Sequence, residues 1–148
     1  GYVHDETAAF FGGVQGNAGL FACANDLAKL CQMWLNNGSY GGEQILSAET
    51  VHRFLTEKSA TSRRGLGFDK PDTENPEKSP TAPEASAATV GHLGFTGTCF
   101  WIDPEQELIY IFLCNRIYPS RTHNALAELN VRPELFSAIY RAITDYSK

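Results

Sequence analysis

The chain has 148 residues, and its 12 lysines and arginines against 17 aspartates and glutamates give a formal net charge of -5. That length supports one domain burying roughly 70% of the surface its extended form would expose. The basic residues are scattered apart from the Arg63-Arg64 pair, which excludes a nucleic-acid partner, and no apolar run approaches the ~20 residues of a membrane-inserting helix.

The opening residues carry neither a basic segment nor a long apolar core, so no signal peptide is expected within them. Gly12, Gly13, Gly16 and Gly19 then predict tight turns rather than regular helix. Asn25 is placed to cap a helix whose Leu27, Leu30, Cys31, Trp34 and Leu35 repeat at helical spacing. That helix should stop at Asn36-Asn37-Gly38, where glycine takes a left-handed conformation, and the turn continues through Tyr40-Gly41-Gly42. Ser47 as cap, Glu49 in the first turn, and Val51, Phe54 and Leu55 on one side predict a second, shorter helix.

Gly65 to Phe68 reads as a short strand or an extended lead into one. The following stretch, 69-88, holds four of the seven prolines and few large apolar side chains, so a mobile loop is expected there. Thr98 to Ile102 and Leu108 to Cys114 read as two strands joined by a turn at Asp103-Pro104-Glu105-Gln106-Glu107. Both strands are apolar at odd and even positions alike, which requires cover on both faces of their sheet. The last helix should begin near Pro133 and present Leu135, Phe136, Ile139, Tyr140 and Ile143 as one stripe. The fold class is therefore α/β in the broad sense (α+β): an antiparallel sheet with helices on both faces, in one domain over 1-148.

Cys23, Cys31, Cys99 and Cys114 show no C-x-x-C spacing and sit among apolar neighbours, so buried free thiols are expected. Cys99 and Cys114 flank the hairpin, and a bridge between them stays open. Glu49 and His52 stand three apart, too few ligands for a zinc site, while His4 beside Asp5 and His123 read as surface residues. No cofactor or metal is implied.

Neither G-x-S-x-G, H-E-x-x-H nor a phosphate-binding glycine loop occurs; S-x-x-K fails at every serine and Y-x-N at every tyrosine. His92 is set apart by its surroundings, Gly91-His92-Leu93-Gly94-Phe95-Thr96-Gly97, which lead into the hairpin. Glycines in a strand admit close approach of a backbone or a ligand, and a strand amide beside them can donate to developing negative charge. On the residues alone, these glycines serve equally to shape a turn and bulge around a half-buried, hydrogen-bonded histidine.

The pieces Gly12-Gly13-Val14-Gln15-Gly16-Asn17-Ala18-Gly19-Leu20-Phe21, Asp26-Leu27-Ala28-Lys29, Gly91 to Gly97, Trp101-Ile102-Asp103-Pro104 and Asn115-Arg116 occur in an order that resembles the C-terminal portion of the serine β-lactamase-related family. That family spans class C β-lactamases, penicillin-binding proteins and esterases. The resemblance implies a partial β-lactamase-like (DD-peptidase-like) fold and hydrolysis of an amide or ester through an acyl-enzyme. It implies that His92 matches the first residue of the H-x-G element, Gly94 its glycine, and the Phe95 backbone N–H one oxyanion donor. The serine and lysine of S-x-x-K and the tyrosine of Y-x-N have no counterpart, so the chain alone is expected to be inactive. A missing N-terminal half is then the implied partner, with self-association through an exposed sheet edge in its absence. Leu93 stands where the family often has a hydroxyl, and Asn17 where close relatives often have histidine; both point away from an efficient β-lactamase. The same resemblance implies export to the periplasm. The alternative is a non-catalytic binding or structural domain on the same fold.

Overall fold

The computed structural model describes residues 1–146. Its centre is a three-stranded antiparallel sheet of β3 (Val90–Leu93), β4 (Cys99–Asp103) and β5 (Leu108–Phe112), in the order β3-β4-β5. The register sets His92 opposite Phe100, Leu93 opposite Cys99 and Trp101 opposite Tyr110. Strand alternation sends Cys99, Trp101 and Tyr110 to one face, where they pack with Phe136, Tyr140 and Ala82. Val90 and Ile102 go to the other face, where Cys31 and Phe68 complete the cluster with Trp34, Leu35, Phe54 and Leu55 against it. The unbroken apolar strands are thus explained by helices on both sides, as the sequence requires.

Three helices supply that cover. On one side lie α2 (Ala24–Leu35) and α3 (Ala48–Thr56), and on the other α5 (Val131–Tyr146). Two short helices, α1 (Glu6–Phe10) and α4 (Ala125–Glu128), have no counterpart in the sequence reading. α1 is capped by the Asp5 carboxylate, which accepts from the Ala8 N–H at 2.7 Å. α2 begins one residue before the expected cap: Cys23 occupies the N-cap, Asn25 lies inside the first turn, and Asp26 supplies the negative charge that favours a helix start. It ends as expected, with Asn37 and Gly38 both at positive φ and the Gly38 N–H donating to Met33 O. A side chain at Gly38 would collide with the Leu46 carbonyl oxygen, so glycine is required there. A two-residue hairpin, β1 (Ser39–Tyr40) and β2 (Glu43–Gln44), turns through Gly41-Gly42, both again at positive φ. α3 is capped by Ser47, whose hydroxyl accepts from the Thr50 N–H.

The helical stripes are not wholly buried. Leu30 of α2 and Leu135 and Ile143 of α5 are exposed, whereas Met33, outside the expected face, is buried. Gly65 to Phe68 forms no strand: pairing is limited to single bridges, Lys58 with Gly65 and Asp69 with Gly91. The 69-88 segment contains one turn of 3-10 helix at Pro76–Lys78 and is tied down at several points. Ala82 enters the core, Ser86 donates to Asp103 through both its N–H and its hydroxyl, and Ser137 Oγ donates to Glu84 at 2.6 Å. Short polar and alanine side chains make these contacts, which composition alone does not register.

The four thiols are free. Cys31 and Cys99 are buried as expected and Cys114 is half-buried, but Cys23, at the N-cap of α2, is exposed. No helix among the described residues is long and apolar enough to cross a membrane.

Candidate active site

β3 can lie against β4 only because Gly91 has no side chain. A Cβ there would stand 2.1 Å from the Phe100 carbonyl oxygen and 2.6 Å from the Trp101 ring. Pairing continues one residue past the strand, where the Gly94 N–H donates to Thr98 O at 2.7 Å, and the Gly97 N–H then closes a turn onto Gly94 O at 3.0 Å. Phe95 sits at the tip of that turn, 57% exposed, and its N–H has no acceptor among the described residues. Its carbonyl is held instead, by Arg116 Nε at 2.8 Å. Arg116 also donates to the carbonyls of Arg121 and His123, which fastens the 116-123 segment beside the turn.

The Phe95 ring is in contact with cations and with an imidazole. Arg116 lies 4.6 Å from its centroid, Arg121 5.7 Å, and His4 stacks on it at 5.4 Å and 13°. His4 is therefore not the surface residue expected from sequence: its ring packs in the groove and its Nε2 is buried without a hydrogen-bond partner. Arg121 is in turn held by Glu6 at 2.7 Å, so α1 is joined electrostatically to this end of the sheet. That bridge keeps the Glu6 carboxyl below its ordinary range, the Arg121 hydrogen bond being the main cause.

His92, three residues earlier on the same strand end, is half-buried. Its Nδ1 lies 2.7 Å from Leu93 O and its Nε2 2.8 Å from Arg64 Nη1. Arg64 and its neighbour Arg63 flank the fully buried carboxylate of Asp69. Arg63 engages that carboxylate with two hydrogen bonds, at 2.7 and 3.0 Å, and Arg64 approaches to 3.7 Å. The Asp69 hydrogen bond holds the Arg63 guanidinium above its ordinary range. Next in the chain, the Lys70 ammonium donates to Leu55 O, and burial pulls it below its usual value. Asp69 and Gly91 also exchange both backbone hydrogen bonds, which brings this charged segment to the edge of β3.

His92, Leu93, Gly94 and Phe95 line an open groove of about 890 Å³ together with Tyr2 to Glu6 and Asn17 to Ala22. Leu93 borders the groove while packing on the cluster of Trp101 and Phe136, which accounts for an apolar side chain there. Asn17 Nδ2 donates weakly to Asp5 at 3.4 Å. Among the described residues no three histidine, cysteine, aspartate or glutamate side chains gather as a metal site would need.

The Beta-lactamase family model matches residues 1–132. The chain belongs to that family. Family membership and the α/β fold class thus stand as the sequence reading had them. Among curated proteins, the chain is 38% identical over 148 residues to a "Putative D-alanyl-D-alanine carboxypeptidase" of Escherichia coli O157:H7, covering 99% of this chain and 32% of that protein. It is 38% identical over 138 residues to a protein of the same name in Salmonella paratyphi B, covering 92% of this chain and 30% of that one. The chain thus spans about a third of the length of the curated relatives it matches. A solved structure described as a "putative beta-lactamase" from Bacteroides dorei matches 84% of this chain and 47% of that chain, at 17% identity and a TM-score of 0.45.

The structure brings His92, Gly94 and Phe95 together at one strand end. It adds His4, Arg64, Asp69, Arg116 and Arg121, which sequence reasoning passed over as site residues. The Arg63-Arg64 pair was the one basic cluster in the chain, and its position just before Gly65-Leu66-Gly67-Phe68 was the available signal.

Proposed function

We propose that this chain supplies one wall of the active site of a serine hydrolase that cleaves amide or ester bonds through an acyl-enzyme. The observation that carries this reading is the Phe95 N–H, unpartnered among the described residues, at the end of a glycine-relieved strand whose His92, Gly94 and Phe95 all line the groove. A strand amide in that setting is suited to donate to the oxyanion of an acyl-transfer intermediate, and one such donor is worth about 3 to 4 kcal/mol in a complete site. It accelerates nothing without a nucleophile. The serine, lysine and tyrosine of S-x-x-K and Y-x-N are assigned to a preceding region, in keeping with the length of the relatives. Their names support a D-alanyl-D-alanine peptide as the substrate class, and Leu93 in place of a hydroxyl favours peptidase or esterase over β-lactamase action. Export to the periplasm belongs to the same proposal.

The test compares the chain alone with the chain continuous with its upstream region. Alone it should turn over neither β-lactams nor p-nitrophenyl esters above buffer; a saturable rate abolished by His92→Ala would refute this division of labour. The continuous protein should be acylated by a fluorescent penicillin and release D-alanine from a D-alanyl-D-alanine peptide. The absence of S-x-x-K and Y-x-N from all 148 residues favours a second reading, a binding domain on the same fold. Ligand binding without acylation in the continuous protein would establish that reading instead.

A further inference from the structure

We propose that Arg64 is a positioning residue of this site, fixing His92 in the tautomer that carries its proton on Nδ1 and standing as the permanent positive charge beside it. The inference deepens the acyl-transfer reading and rests on it for its functional meaning, but its structural content is independent. A guanidinium has five N–H donors and no acceptor. At 2.8 Å from Arg64 Nη1, His92 Nε2 must therefore be the acceptor, and the hydrogen is left to Nδ1, which donates to Leu93 O at 2.7 Å. Both ring nitrogens are then occupied. His92 in this geometry offers no free lone pair to take a proton from a nucleophile, so it shapes and polarises the wall rather than acting as a base.

Arg64 is itself placed with care. Its backbone is pinned, with Arg64 O accepting from the Ser59 N–H at 2.7 Å and the Arg64 N–H donating to Ser62 Oγ at 3.3 Å. Asp69 is already engaged bidentately by Arg63, so two guanidiniums share one buried carboxylate and the second retains its charge for His92. The Arg64 side chain is 52% exposed and borders a separate polar cavity of about 500 Å³ formed by residues 58-64 and 72-75. Arg64 thus lines that cavity while its guanidinium meets His92, which lines the apolar groove.

Long-range proton–nitrogen NMR correlations on the nitrogen-15-labelled chain near pH 8 test this directly. The expected spectrum of the unmodified chain shows His92 with a protonated Nδ1 and an unprotonated Nε2. In Arg64→Ala the Nε2-protonated form, which free neutral imidazole prefers, should become dominant; Lys29→Ala, which removes an exposed cation paired with Asp26 on α2, should leave His92 unchanged. An Nε2-protonated His92 in the unmodified chain overturns the proposal whether or not the variant folds, as does an unchanged tautomer in a folded Arg64→Ala. No substrate enters this measurement, so its failure is distinct from a failure of the continuous protein to acylate.

Discussion

Gly91 and Gly94 lie three residues apart and are glycine for different reasons. A methyl group at Gly91 meets fixed backbone and the Trp101 ring, whereas at Gly94 its nearest neighbour is Thr98 Oγ1, a hydroxyl that can rotate away. Gly91→Ala should cost about 3 kcal/mol in urea unfolding, and Gly94→Ala about 1 kcal/mol or less. Equal midpoints for the two would contradict this account of the strand. Thiol chemistry is similarly divided. Burial pushes the Cys31 thiol up to about 11 and the Cys99 thiol up to about 12, and raises Cys114, while Cys23 is exposed. Only the thiolate attacks, so at pH 8 Cys23 should be alkylated first, Cys114 more slowly, and Cys31 and Cys99 only on unfolding. Mass spectrometry of timed alkylations reads this order. At this scale the sequence made His92 and its glycines visible because they are contiguous. It could not show Arg64, which is 28 positions away, nor that the His4 ring would stack on Phe95.

Elements are joined here through one buried carboxylate. Asp103 closes β4 and accepts from the Ser86 N–H and hydroxyl, from the Glu105 and Gln106 N–H groups, and from Tyr140 Oη at 2.5 Å. It therefore fastens the 69-88 segment, the β4-β5 turn and α5 to one point. Burial alone would raise its carboxyl, but the hydrogen bonds from Tyr140 and Ser86 outweigh that and hold it below the usual range. The same contact, added to burial, raises the Tyr140 hydroxyl. A depressed carboxyl stabilises the fold above its unfolded value of about 4, and that contribution is lost as pH falls through the lower folded value. Asp103→Ala should cost about 3 kcal/mol at pH 7. Asp103→Asn should flatten the acid limb of stability against pH, seen as thermal midpoints that converge with the unmodified chain below about pH 4. The hairpin, α2 and α3 were legible because periodicity and caps are local. The anchoring of 69-88 was not, because it depends on partners at Asp103 and Ser137, far along the chain.

For the whole molecule, the apolar surface left over after folding is itself informative. Leu20 and Phe21 line the groove with most of their surface in water, and Phe10, Val14, Leu30 and Leu135 are further large apolar side chains left exposed. Among the described residues β5 pairs with β4 alone, so its outer edge has no strand partner. The isolated chain should therefore self-associate with rising concentration in light scattering and bind an apolar dye, and Phe10→Ser with Phe21→Ser should reduce dye binding. A monodisperse, dye-silent chain would mean that these surfaces need no further cover. The reciprocal hydrogen bonds between Asp69 and Gly91 have a different consequence. They clamp the two feet of the intervening stretch, so the closure entropy of that ring is met at its base and depends only weakly on its circumference. Its tip, Thr73 to Lys78, lies in solvent. A tag or reporter peptide spliced there would lengthen the ring without loosening the strand that carries His92, which makes it the place to attach a handle.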